Sequence, residues 1–376
     1  MKNLRTAFTL LMLLSFASGA LAQVNVNVAY EREYNSNPFR SVNPAPSWIS
    51  VYDIGVSYMF ENTAIGYFGL YDRFTNIQDR DFYWHQIAYW GAQDGASYGA
   101  MIEQRMNVSG YNTYNYNTGT AYLNYRYRND TMSWLFSGSG DVSLYPALDD
   151  FDNFKLSTGL QVNKSLPSRT TLIGSIGLNY KRYFTEIESI DSVQTGGMRG
   201  GQMTTVSSYT SPAITQLNWK ARVAQSLTNT TGLAIQYQHR YLFDNTDRSL
   251  AELAYTATME TEIFDDPMSY EGFSIGGEIT QLMPFGFTLK AAYYHFNKNY
   301  TSQPVYIDAD TYTEERNRED KYNTSWLYLE RDIGFGLFQG NYMTLTLLYQ
   351  LKQNSSNSYW YNYNMEYGSI GIEYNF

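Results

Sequence analysis

The chain has 376 residues, no cysteine and a formal net charge of -10, and 17% of it is Phe, Trp or Tyr, with 37 tyrosines among them. The lack of cysteine excludes disulfides, thiolate metal centres, cysteine nucleophiles and a lipidated N-terminal cysteine, and an acidic chain without any basic run is a poor nucleic-acid binder. A mean hydropathy of -0.42 beside so many tyrosines suits a wall that meets lipid and water along its rims, because a phenol ring can lie in hydrocarbon while its hydroxyl reaches water.

Taken from the start, Lys2 and Arg5 precede a short apolar stretch at 7–16, and Ala20 and Ala22 flank Leu21 just before Gln23. The run is too short to span a bilayer. A charged start, an apolar middle and a small-x-small site predict a cleaved signal peptide over 1–22 and a mature domain over 23–376. No uncharged apolar run of spanning length follows Gln23. An exported chain of this kind is periplasmic, released, or a β-barrel that crosses with strands.

From there the sequence alternates. Val24, Val26, Val28 and Tyr30 take one face, with Asn25, Asn27, Ala29 and Glu31 on the other. The same period of two runs through 52–60, 121–128, 154–162, 172–180, 217–223, 233–237, 287–293 and 343–351, and more weakly through 64–73, 82–92, 96–105, 132–145, 270–282 and 322–333. Segments of about ten residues with this period are membrane-crossing strands rather than helices. Short turns are predicted at 61–63, 93–95, 129–131, 228–231 and 284–286. Longer polar links fall at 35–47, 106–118, 184–212, 298–320 and 353–359. Short periplasmic turns alternating with longer extracellular loops describe an all-β, antiparallel transmembrane barrel without a plug domain. The preferred count is about 16 strands, with 250–264 folded back in an extracellular extension; the alternative is about 18, if 250–264 crosses and a further strand lies near 303–314.

The chain ends with Ser369, Gly371, Tyr374 and Phe376 at set spacing, and Ile370, Ile372, Tyr374 and Phe376 share one face of a last strand. These last eight residues resemble the carboxy-terminal signal of bacterial outer-membrane β-barrels of the porin-like kind. That resemblance implies an outer-membrane location, contact with outer-membrane lipid and lipopolysaccharide, and insertion by the barrel-assembly machinery.

Catalysis finds little support in the sequence. His239 and His295 follow the outward parity of Tyr237 and Tyr293, and the parity of His85, inside Phe82-Tyr83-Trp84-His85, is open. None stands beside a serine in a pattern suited to a barrel hydrolase. Acids gather at Asp149, Asp150 and Asp152, at Glu186, Glu188 and Asp191, and at Glu314, Glu315, Glu319 and Asp320, but none completes a calcium loop. No metal or cofactor is expected. Tyr111, Tyr114 and Tyr116, and Tyr359, Trp360 and Tyr361, offer either an upper aromatic belt or a platform for a partner.

The polar face carries the functional expectation. The same parity turns Arg105, Arg126, Arg128, Lys155, Lys181, Lys220, Arg222, Arg240 and Lys290 into the lumen, against Glu31, Glu33, Asp53, Glu103 and Glu278. Such cations either favour anions along a pore or pair with lumen acids and inward loops. The sequence therefore predicts a porin-like channel for small polar solutes, anions included. A structural or docking barrel for a periplasmic, surface or polysaccharide-export partner is the alternative.

Overall fold

In a computed structural model, residues 24–108, 110–195, 202–210, 212–245, 266–309, 311–334 and 342–375 are described. The expected signal peptide with Ala20 and Ala22, the ambiguous segment 250–264 and the terminal Phe376 lie outside them. The chain runs through β1 (Val24–Asn35), β2 (Ser47–Met59), β3 (Thr63–Phe74), β4 (Phe82–Gln93), β5 (Ala96–Asn107) and β6 (Tyr116–Arg128). It continues with β7 (Met132–Leu144), β8 (Asn153–Ser165), β9 (Thr170–Tyr183), β10 (Ile187–Thr195), β11 (Gln202–Thr210) and β12 (Ala213–Ser226). The last third holds β13 (Thr231–Asn245), β14 (Glu271–Leu282), β15 (Phe287–Tyr306), β16 (Tyr312–Gly334), β17 (Tyr342–Ser356) and β18 (Tyr363–Asn375).

Sixteen of these strands form a closed antiparallel barrel in which each pairs with its chain neighbours. There are two exceptions: β9 pairs with β12 across the separate β10–β11 hairpin, and β1 closes on β18 from Asn27↔Asn375 to Asn35↔Tyr367. The preferred strand number is the observed one.

Length and alternation explain the crossing. β1, β3, β4 and β5 have 12 residues each, and at about 3.3 Å per residue with roughly 45° of tilt such a strand rises about 28 Å, enough for an apolar band about 25 Å tall. Ile102, Leu123 and Ile370 are 69%, 58% and 63% exposed, whereas Arg105, next but two to Ile102, is buried. The apolar parity therefore faces outward, the reverse of a soluble sandwich.

The short ends follow local turn chemistry. Asp94 (φ 49°) and Gly95 (φ 84°) form the two-residue turn between paired Gln93 and Ala96, a left-handed geometry that Asp-Gly adopts and that matches strand twist. At the next short turn, Asn129 Oδ1 accepts the backbone N–H of Thr131 and Met132 at 3.2 and 2.8 Å.

The long ends depart from expectation in two places. The 184–212 link contains β10 and β11, paired from Ile187↔Thr210 to Thr195↔Gln202; β-branched Ile187, Ile190, Val193 and Val206 give these polar segments strand character. The 298–320 link is mostly strand: β15 and β16 pair to Tyr306↔Tyr312, leaving 307–311 as the connection. Pro304, which has no N–H to donate, sits where the register shifts.

Candidate functional site

Most of the nine predicted cations are engaged with neighbours inside the barrel. Lys155 Nζ lies 3.6 Å from Asp141 Oδ2, and Lys290 Nζ lies 2.9 Å from Glu330 Oε1 and 5.4 Å from the Tyr328 ring. Arg222 Nη2 meets Glu278 Oε2 at 2.5 Å, and Tyr294 Oη donates to the other oxygen of Glu278 at 2.5 Å. Lys220 stands on the same face two residues before Arg222. Arg240 Nη1 donates to Tyr270 Oη at 2.7 Å. Arg126 and Arg128 are exposed at the short-turn end of β6, alternating with outward Tyr125 and Tyr127. Lys181 is almost fully buried: its Nζ donates to Asp266 Oδ2 at 2.7 Å and lies 4.8 Å from the Tyr183 ring.

The pairings favour mutual neutralisation over a ring of uncompensated cations. The inward face also carries acids absent from the sequence-based set: Asp72, Asp141, Glu330, Asp332 and Glu373. Each falls on the inward parity of its strand, next to outward Tyr71, Val142, Leu329, Ile333 and Ile372. Their parity is readable in the sequence: Asp72, Asp141, Glu330 and Asp332 lie in weaker alternating segments, and Glu373 lies between Ile372 and Tyr374 of the last strand.

Once the strand order is known, the two signs prove unevenly distributed but mixed: Glu103, Asp141 and Glu278 stand among the cations, and Lys352 stands among the acids. Glu330 and Asp332 on β16, Glu373 on β18, Glu31 and Glu33 on β1, Asp53 on β2 and Asp72 on β3 lie along one arc of adjacent strands. Arg105, Arg126, Arg128, Lys155, Lys181, Lys220, Arg222, Arg240 and Lys290 occupy β5 to β15, the remainder of the wall. One arc therefore carries an excess of acids and the other an excess of cations, each partly offset by the pairs described above.

Cavities open along this wall, and two of them gather its polar groups. The larger, about 600 Å³, brings Glu31, Glu33, Asp53 and Asp72 together with Arg40, Arg80, Arg105 and Lys352. Arg105 is buried there, its guanidinium carbon 3.8 Å from the Phe82 ring. The second, about 320 Å³, is lined by small polar groups, among them Ser137, Ser139, Ser157, Ser175, Asn179 and Asn218.

At the long-loop end the connections turn inward. Tyr114, Tyr361, Tyr363 and Met365 form one buried cluster, and Tyr145, Phe151, Tyr183, Ile214 and Met268 form another. Arg318 is buried between Tyr300 and Tyr361, its guanidinium carbon 3.9 and 3.2 Å from their ring centres, and pairs with Asp320 and Gln303. Tyr114 and Tyr361 are thus interior packing rather than an external platform. Tyr116 donates to Glu103 inside the barrel at 2.7 Å. In the 149–152 turn, Asp152 Oδ1 accepts the Tyr145 N–H at 2.6 Å. Burial holds its carboxyl above the ordinary range, against the lowering effect of that N–H. Among the described residues no three acids or histidines converge as a metal site.

The histidines belong to the outer face. His85 Nδ1 contacts Tyr67 Oη at 2.7 Å, His239 Nδ1 contacts Tyr237 Oη at 3.1 Å, and His295 Nδ1 contacts Asn323 Oδ1 at 2.9 Å. His85 pairs across from Gly69 between Tyr67 and Tyr71, which settles its parity as outward.

No family model matches the sequence, and no curated protein matches it either. Solved structures do share the fold. The OccAB1 structure from Acinetobacter baumannii is 7% identical, with a TM-score of 0.50 over 94% of this chain and 96% of that one. A double variant of OccD1 (OprD) is 9% identical, with a TM-score of 0.50 over 94% of this chain and 95% of that one. The outer membrane protein OpdK from Pseudomonas aeruginosa is 10% identical, with a TM-score of 0.49 over 95% and 99%. The chain has the fold of an outer-membrane barrel.

Proposed function

We propose that this barrel is a porin-like channel of the outer membrane, through which small polar solutes diffuse. The observation that carries this is the largely polar inner wall of a 16-strand barrel: a closed sheet of that size leaves an aqueous interior, and its lumen face bears serine, asparagine and ionic pairs, with packed apolar side chains gathered locally, as at Ile49, Val51, Phe74 and Phe82. An acid-rich arc facing a cation-rich one suits solutes that carry both signs or a strong dipole. Simple anion preference fits less well, since Lys155, Lys181, Arg222 and Lys290 are each paired with a carboxylate.

The test is reconstitution of the purified protein. Discrete conductance steps in planar bilayers, together with swelling of loaded liposomes in small zwitterionic solutes, are the expected results. A folded barrel that gives neither would end the proposal.

A further inference from the structure

Outside the barrel, the first strands carry an ordered set of rings. Tyr30, Tyr52, Tyr71 and Tyr83 lie in register across β1, β2, β3 and β4, with ring centres 5.3, 6.1 and 4.6 Å apart in turn. Such a row on a lipid-facing wall marks the level of the membrane interface. Two residues further toward the long connections, on the same face, comes the row Arg32↔Ser50↔Arg73.

These guanidiniums face neutral groups or solvent. Arg32 donates to Ser50 Oγ at 2.5 Å and to Thr75 Oγ1 at 3.3 Å, and its guanidinium carbon lies 5.3 Å from the exposed Trp48 ring. Arg73 is exposed. Asp81, in the β3–β4 connection, is buried and accepts from Tyr71 Oη at 2.9 Å and from the Phe74 N–H at 2.7 Å. On the other side of the seam, Arg32 pairs across from Ile370, which extends the apolar floor.

We propose that Arg32 and Arg73 bind the headgroup phosphate of an outer-leaflet lipid whose acyl chains lie down the tyrosine row. The backbones of β1 and β3 stand about 9.6 Å apart, two strand spacings, so two arginine side chains can converge on one phosphate between them. The guanidinium fork matches phosphate oxygens with paired N–H donors. A rise of two residues along a tilted strand, about 5 Å, places the charges just above the rings, at headgroup level.

The experiment is native mass spectrometry of the folded protein in maltoside micelles, with lipid A and phosphate-stripped lipid A as probes. The wild-type protein is expected to retain one lipid A with roughly tenfold or greater preference over the stripped lipid, the size expected of two basic groups at an anionic surface. The Arg32→Gln/Arg73→Gln protein loses that preference. Arg73→Gln alone, a change at an exposed side chain, loses part of it. Lys164→Gln, the same charge change at the opposite rim of β8, leaves it intact, and excess inorganic phosphate does not displace the lipid. Equal retention of both lipids by wild type, an unchanged preference in the double variant, or displacement by inorganic phosphate would overturn the proposal. Heat-modifiable gel mobility reports folding of each variant, and lipid retention is read independently of whether the barrel conducts.

Discussion

The lumen pair of Arg222 and Glu278 allows a quantitative test of how wall charges act on permeating ions. Glu278→Gln keeps the side-chain shape, and the amide oxygen can still accept from Tyr294, yet it leaves Arg222 and the adjacent Lys220 without the carboxylate. Both members of the pair are about a quarter exposed, 25% and 27%, so the surroundings are closer to water than to a dry core. A unit charge about 4 Å from a passing ion then contributes about 1 kcal/mol. A Debye length of about 8 Å at 0.15 M salt screens this to about 0.6 kcal/mol. The shift is favourable for an anion and unfavourable for a cation, so their ratio moves by about 1.2 kcal/mol, or about sevenfold. Reversal potentials across a planar bilayer in a salt gradient measure that ratio. Glu278→Gln should move it toward anions and Arg222→Gln toward cations, with both shifts shrinking near 1 M salt, where the Debye length is about 3 Å. Shifts of the same sign in both variants, or shifts indifferent to salt, would refute the reasoning.

Asp266→Ala removes the carboxylate from the buried Lys181 ammonium and should cost about 3–5 kcal/mol in urea unfolding from lipid vesicles, whereas Lys181→Met/Asp266→Leu should regain most of that loss. Gly95→Ala puts a methyl carbon 2.6 Å from the Arg126 carbonyl oxygen at a φ of +84°, and a destabilisation of about 2 kcal/mol is expected in the same assay. Arg318→Leu removes the ion held between Tyr300 and Tyr361 while leaving Asp320 buried. Proteolysis of the intact barrel should then cut the 307–311 and 357–362 connections faster than in wild type. Deletion of Phe376 should lower the heat-modifiable folded band in outer-membrane fractions without lowering total synthesis.

The barrel was legible because its signal is local. Leu123 between Tyr122 and Asn124, or Ile370 between Ser369 and Gly371, states a face wherever it occurs, and sixteen such statements add to a wall. Position along the strand is equally local, so Arg126 and Arg222 could be assigned inward from their neighbours alone. Pairing is different. Lys155 meets Asp141 through the register of two hairpin strands, and Lys181 meets Asp266 across 85 residues of chain; no periodicity carries that information. The inward turn of Tyr114 and Tyr361 was hidden for a related reason. An aromatic residue in a loop looks the same in sequence whether it covers the outside of a mouth or fills it, and only Arg80, Arg318 and the strand ends around it decide.

The seam between β1 and β18 has a consequence for how the molecule comes into being. The partner of the first strand is the last one made, so no amount of early hairpin formation satisfies the outer edge of β1. Until β18 arrives, every intermediate is a curved sheet with two raw edges, each a row of unpaired amides able to recruit another chain. Its contacts at the join are as distant in sequence as this chain permits, the slowest kind to find by diffusion. A barrel of this connectivity must be kept apart from its own copies during export, and its closure is a single late event that leaves the barrel wall without an edge.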